Sequence, residues 1–125
     1  QPASRVLTER LNAPVWDEPP FCHHADLQSV QLLAVDGRLS AVIDICCLGL
    51  CAPAFDVMTA LISLTSETRD LFRDLLQVDD AMWARARGWA LSFALIALPY
   101  YVETNPGLTG IALRTLNEVL EDAVA

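Results

Sequence analysis

An Asp-Gly pair at 36–37, set between the apolar runs 31–35 (QLLAV) and 39–43 (LSAVI), constrains this chain first. Asp-Gly tolerates the positive φ angles that a two-residue hairpin turn demands, and the flanking Val and Ile favour strands. After Pro53 the apolar spacing becomes helical and stays so. Pro53 suits the first turn of a helix running to about residue 64. Ser66 opens another, with Leu71, Phe72, Leu75 and Leu76 on one face. Asp79 and Asp80 cap a long helix from residue 81 to about 98, bounded by Pro99, and after Thr104-Asn105-Pro106 a last helix spans 108–124. Ahead of the hairpin, 3–11 has helical spacing and 12–20 holds three prolines, which makes it a linker.

These patterns predict one mainly α domain of α+β class over residues 1–125, a helical bundle with a small β-hairpin. Its parts are a helix tail and linker at 1–20, a hairpin segment at 21–52 and a helical part at 53–125. At 54% hydrophobic and 19% charged, the chain has more apolar surface than its own core consumes, so some of it is expected to meet a partner. Net charge is −8 and every basic residue is Arg, which argues against nucleic acid and against an anionic membrane face. The apolar stretch 89–101 is too short to span a bilayer and contains Ser92 and Pro99. No signal-peptide pattern opens the chain, and a cytoplasmic location is expected. In a reducing compartment Cys22, Cys46, Cys47 and Cys51 read as free thiols or metal ligands rather than disulfides.

The stretch with most chemistry is His24-Ala25-Asp26-Leu27-Gln28-Ser29-Val30-Gln31-Leu32-Leu33, followed by the hairpin and then Val42-Ile43-Asp44. Phosphoryl transfer needs a carboxylate that orients the acceptor hydroxyl and side-chain oxygens for the metal on the phosphates. The segment, with Leu48-Gly49, Pro53-Ala54-Phe55-Asp56, the run 83–91 and Pro99-Tyr100-Tyr101, resembles the aminoglycoside phosphotransferase family over about residues 15–122. That family's pattern runs HGDLHPGNLL, then a hairpin, then GVIDFGD and GDPAYDLA. The resemblance implies the C-terminal lobe of a kinase-like fold, with Asp26 as the catalytic Asp, His24 bracing its loop, Asp44 as a metal-binding Asp and Asp56 as a structural one.

The departures lie within the motifs. Gln31 stands where the family has a metal-binding Asn, and Gln28-Ser29-Val30 replaces His-Pro-Gly. Val30 is β-branched and resists the positive φ that Gly allows. Ile45-Cys46-Cys47 replaces Phe-Gly-Asp. The family's first lobe, with its phosphate-binding Lys, is expected to be missing, so ATP-dependent transfer is not expected of this chain alone.

All four cysteines and both histidines fall in the two segments that the family fold juxtaposes. Cys22, His23, Asp44, Cys46, Cys47, Cys51 and Gln31 are therefore candidate ligands for a divalent metal, with zinc the best match to thiolate and imidazole. A zinc-bound hydroxide could attack a phosphoester. The competing reading is that the cysteines are inert. The leading expectation is a small metal-dependent phosphoester hydrolase acting on a small-molecule substrate. The alternatives are a small-molecule phosphotransferase fragment, needing ATP and magnesium on an absent N-terminal lobe, and a non-catalytic pseudokinase-like remnant. A homodimer through the surface left by the missing lobe is expected. Trp83, Trp89, Phe93, Tyr100 and Tyr101 read as core, although in the family this region also lines the acceptor cleft. Glu118, Glu121 and Asp122 read as the solvated face of the last helix.

Overall fold

A computed structural model describes residues 2–124. In chain order the elements are α1 (Pro2–Asn12), β1 (Phe21–His23), a 3-10 turn (Ser29–Gln31), β2 (Leu32–Val35), β3 (Arg38–Val42), β4 (Gly49–Cys51), α2 (Ala54–Val57), α3 (Thr59–Ser63), α4 (Ser66–Leu76), α5 (Asp80–Tyr101) and α6 (Pro106–Asp122). The protein is α+β and mainly helical, as the spacing predicts, with two small antiparallel ribbons where the sequence predicts one hairpin.

β2 and β3 form the expected hairpin, with Asp36 at φ 49° and Gly37 at φ 74° supplying the two positive angles of the turn. The second ribbon pairs β1 with β4 in the register Phe21↔Cys51, Cys22↔Leu50 and His23↔Gly49. Sequence reading misses this ribbon, because two three-residue strands that meet across a long loop carry no periodicity of their own.

The expected helix from Pro53 divides at Met58 into α2 and α3, where Leu61 N–H bonds to the Met58 carbonyl three residues back. The long helix does not stop at Pro99. Pro99 lacks an N–H for the Leu95 carbonyl, but Leu95 and Ile96 are exposed, so water can satisfy that oxygen. Val102 N–H resumes the ladder to the Leu98 carbonyl.

α5 is the axis of the fold and packs against α6, α1 and α2. Ala86, Ala90 and Ala94 are fully buried at four-residue intervals along it. Small side chains in one row let neighbouring helices approach closely. The core joins Val6 of α1, Leu61 and Ile62 of α3, Leu91 of α5 and Val119 of α6. Gly88 lets α1 lie against α5: a Cβ placed there would stand 2.7 Å from Arg10 Cβ.

Ion pairs close the bundle. Buried Arg69 on α4 pairs with Glu118 on α6, and Arg87 on α5 bridges Glu9 and Asp122. Asp122 also accepts the Trp83 indole N–H at 2.9 Å. The acidic residues of α6 are thus divided. Glu118 and Asp122 bind basic and indole groups of the interior, while Glu121 is exposed. No helix among the described residues is long and apolar enough to cross a membrane.

Candidate functional site

The loop that carries Asp26 is bound to α2 by one side chain. Asp56 Oδ2 accepts the His24 backbone N–H and Asp56 Oδ1 accepts that of Ala25, each at 2.9 Å. Ala25 is left-handed, at φ 69°. A non-glycine residue avoids that region, so the double clamp from Asp56 holds it there. On the far side of Asp26, Thr59 Oγ1 donates to the Leu27 carbonyl at 2.9 Å.

His24 joins the loop to the segment after the hairpin, since its Nε2 lies 2.9 Å from the Ile43 carbonyl. A carbonyl only accepts, so Nε2 carries the proton and Nδ1, buried without a partner, is left as an acceptor. Ile43 N–H bonds in turn to the Gln31 carbonyl at 3.0 Å. Asp44 follows, itself left-handed at φ 62°. Two carboxylates, Asp26 and Asp44, therefore sit beside or at strained backbone positions on two segments tied to each other.

Gln28 to Gln31 form the turn that follows Asp26. Val30 lies within the 3-10 turn and is not among the described residues with positive φ. Gln31 is buried, and its Oε1 accepts the Gln28 backbone N–H. Its oxygen thus serves the loop's own backbone. Gln28 turns its amide to Asp26, with Nε2 donating to Oδ1 at 3.1 Å.

The candidate zinc ligands are dispersed. Cys22 and Cys51 occupy offset positions of the β1–β4 ribbon, which places their side chains on opposite faces. Cys22 borders a cavity beside α4, whereas Cys47 borders a cleft beside α5. His23 lies by Gly49 and its ring centroid is 6.1 Å from that of Phe55. Among the described residues no three His, Cys, Asp or Glu side chains are grouped to hold a metal ion. The nearest approach is a local chain of Asp44 Oδ1, Cys46 Sγ at 3.2 Å and Cys47 Sγ a further 3.9 Å on. There the Cys46 thiol donates to Asp44. That bond, the contact with Cys47 and the negative charge of both neighbours push its pKa up to about 11.

Asp26 opens onto a cleft of about 560 Å³ between its loop and the C-terminal half of α5. Phe55, Trp89, Phe93, Tyr100 and Tyr101 give it aromatic walls. Trp89 is held in place, with Arg10 Cζ 3.9 Å from its ring centroid and Phe55 4.7 Å away. Tyr100 and Tyr101 meet edge to face at 4.7 Å, and Tyr100 is 72% exposed rather than part of the core. Among the described residues lining the cleft, Asp26 is the one charged side chain. Of the arginines, Arg85 donates to the Pro14 carbonyl, Arg114 donates to the Leu64 carbonyl, Arg69 and Arg87 form the pairs above, and Arg10 lies over Trp89 without being among the described lining residues.

Sequence reading singled out His24 and Asp56 but not the other residues that set Asp26. Ala25, Gln28 and Thr59 look unremarkable in one dimension. The one available signal was Gln28, a polar residue two positions after the Asp and able to reach back to it. No family model matches the chain, and neither a curated protein nor a solved structure does.

Proposed function

We propose that this chain is the acceptor-binding part of a phosphoryl-transfer site on a kinase-like C-terminal lobe. It seats a hydroxylated, amine-bearing ring in the aromatic cleft beside Asp26. What carries the reading is the cleft's composition, one carboxylate among aromatic rings with no basic side chain among the described lining residues. Aromatic faces suit the C–H faces of sugar-like rings and attract ammonium groups, and a carboxylate binds both hydroxyl and ammonium.

In this role Asp26 accepts a hydrogen bond from the acceptor hydroxyl and takes its proton as the oxygen becomes a nucleophile. Gln28 holds Asp26 Oδ1, so Oδ2 is the oxygen offered to the substrate. Asp56 and His24 keep the loop in the conformation that presents it. A nucleotide, held by a separate lobe, supplies the phosphoryl group. The β2–β3 hairpin suits such a lobe as a neighbour, since every residue of β3 is exposed, Leu39 and Val42 included. We place the protein in the cytoplasm, where four exposed unpaired cysteines persist as thiols.

The metal-dependent phosphoester hydrolase draws less support. A phosphate entering this cleft would meet Asp26 and, among the described lining residues, no cation, and no three His, Cys, Asp or Glu side chains among the described residues are grouped to hold a metal. Calorimetric titration with the aminoglycoside kanamycin tests the proposal. Binding should weaken about tenfold in Asp26→Asn, the loss expected for one charged hydrogen bond. Equal affinity of both proteins, or none in either, would sink it and leave the non-catalytic reading.

A further inference from the structure

A second cavity, of about 470 Å³, lies on the side of α2 away from the Asp26 cleft. Trp16, Phe21, Phe72, Leu76 and Met82 make most of its wall. These residues come from the linker, β1, α4 and the start of α5, so the cavity forms only once segments far apart in the chain have come together. Its volume falls in the range of small-molecule sites.

The wall is built to stay open. Trp16 and Phe21 lie 6.1 Å apart at a tilt of 59°, and the Trp16 indole N–H donates to the Pro19 carbonyl at 3.4 Å. Pro14, Pro19 and Pro20 stiffen the segment that carries Trp16, so little freedom is lost when a ligand enters. Opposite, the α4–α5 turn is fixed by left-handed Gln77 at φ 52° and by Asp79, whose Oδ1 accepts the Met82 N–H at 2.6 Å. Water in such a space faces ring and thioether surfaces and forfeits hydrogen bonds, so an apolar ring displaces it favourably.

Charge narrows the ligand. The charged side chains on the lining are Asp56 and Asp79, and no arginine is among the described lining residues. An anion is disfavoured. The imidazole of His23 also borders the cavity, and its Nδ1 is buried with no partner. One uncharged hydrogen-bonding group on the ligand could serve it.

We infer that this cavity is a binding site for a neutral fused-ring aromatic compound carrying a single hydroxyl or similar polar group. The site is separate from the Asp26 cleft and does not rest on the acceptor reading. Because Asp56 borders the cavity and also clamps the Asp26 loop, the two sites share one side chain.

Cys22 gives a direct test, since its exposed thiol borders the cavity while Cys51, equally exposed, is not among the described lining residues. The probe is 2-naphthol, with 2-naphthoate as the anionic control, and alkylation by iodoacetamide is read at each cysteine by peptide mass spectrometry. The expected result is at least fivefold slower alkylation of Cys22 at saturating 2-naphthol. Cys51 should be unaffected, kanamycin should not compete, and 2-naphthoate should bind at least tenfold more weakly. Leu76→Trp places a large ring into the cavity from a position that is 58% exposed, and should weaken 2-naphthol at least tenfold with melting unchanged. Unprotected Cys22 in the parent protein, or affinity untouched by Leu76→Trp, would overturn the site. Equal binding of 2-naphthoate would overturn the assignment of a neutral ligand.

Discussion

Asp56 Oδ1 accepts the backbone N–H of Ala25 at 2.9 Å, so a carboxylate on α2 holds in place the left-handed residue that precedes Asp26. The same carboxylate takes the His24 N–H through its other oxygen. Asp56→Ala leaves both donors without an acceptor and should destabilise the fold by about 3 kcal/mol, with Asp56→Asn losing about half of that. Urea unfolding checks it. A loss below about 1 kcal/mol in Asp56→Ala would mean that the loop does not depend on this clamp.

Gly88→Ala sets two effects against each other. Alanine favours a helix interior over glycine by about 1 kcal/mol. The added Cβ, however, would stand 2.7 Å from Arg10 Cβ, an atom fixed to the α1 backbone, so α1 must move. Overpacking of this kind costs about 1–3 kcal/mol, and the variant should melt lower than the parent. A higher melting temperature would show that α1 is loosely held.

The two ion pairs of α4 should respond differently to truncation. Arg69 is 5% exposed at its side chain and meets Glu118 on α6, so Glu118→Ala strands a buried guanidinium and should cost about 3 kcal/mol. Asp80, the partner of Arg73, is fully solvated, and Asp80→Ala should cost less than about 1 kcal/mol. Equal losses by chemical denaturation would contradict this ranking.

The Cys46 thiol, its pKa pushed up to about 11, is nearly all protonated at pH 8, and the thiolate is the reactive form. Asp44→Asn removes the carboxylate charge, which weakens the hydrogen bond that is the first cause of that shift, and should speed iodoacetamide alkylation of Cys46 several-fold at pH 8. The rate in the parent should keep rising through pH 10, where an ordinary thiol has levelled off. Identical pH profiles in parent and variant would place Asp44 away from the thiol in solution.

Much of the frame was legible in one dimension. Asp36-Gly37 marks the hairpin because few residue pairs tolerate two positive φ angles in succession. Asp79 and Asn105 mark helix starts because each accepts the N–H three residues on, Met82 and Leu108 respectively. What stayed hidden depends on contacts across long separations. The β1–β4 pairing joins residues 21–23 to 49–51, and α5 passes Pro99 because solvent can satisfy the freed Leu95 carbonyl. Within the site, Asp26, Asp44, Asp56 and His24 could be singled out. Trp16 and Phe21, in and beside a proline-rich linker, gave no hint that they wall a cavity.

The central claim is that the cleft beside Asp26 seats a hydroxylated, amine-bearing ring, and ¹H–¹⁵N correlation spectra recorded during a kanamycin titration test it most directly. Saturable shifts are expected at the amides of Ala25, Asp26, Phe93 and Tyr101 and at the Trp89 indole, with Trp16 and Phe72 unmoved and the midpoint about tenfold higher in Asp26→Asn. Shifts centred on Trp16 and Phe72, or a midpoint unchanged in Asp26→Asn, would contradict it.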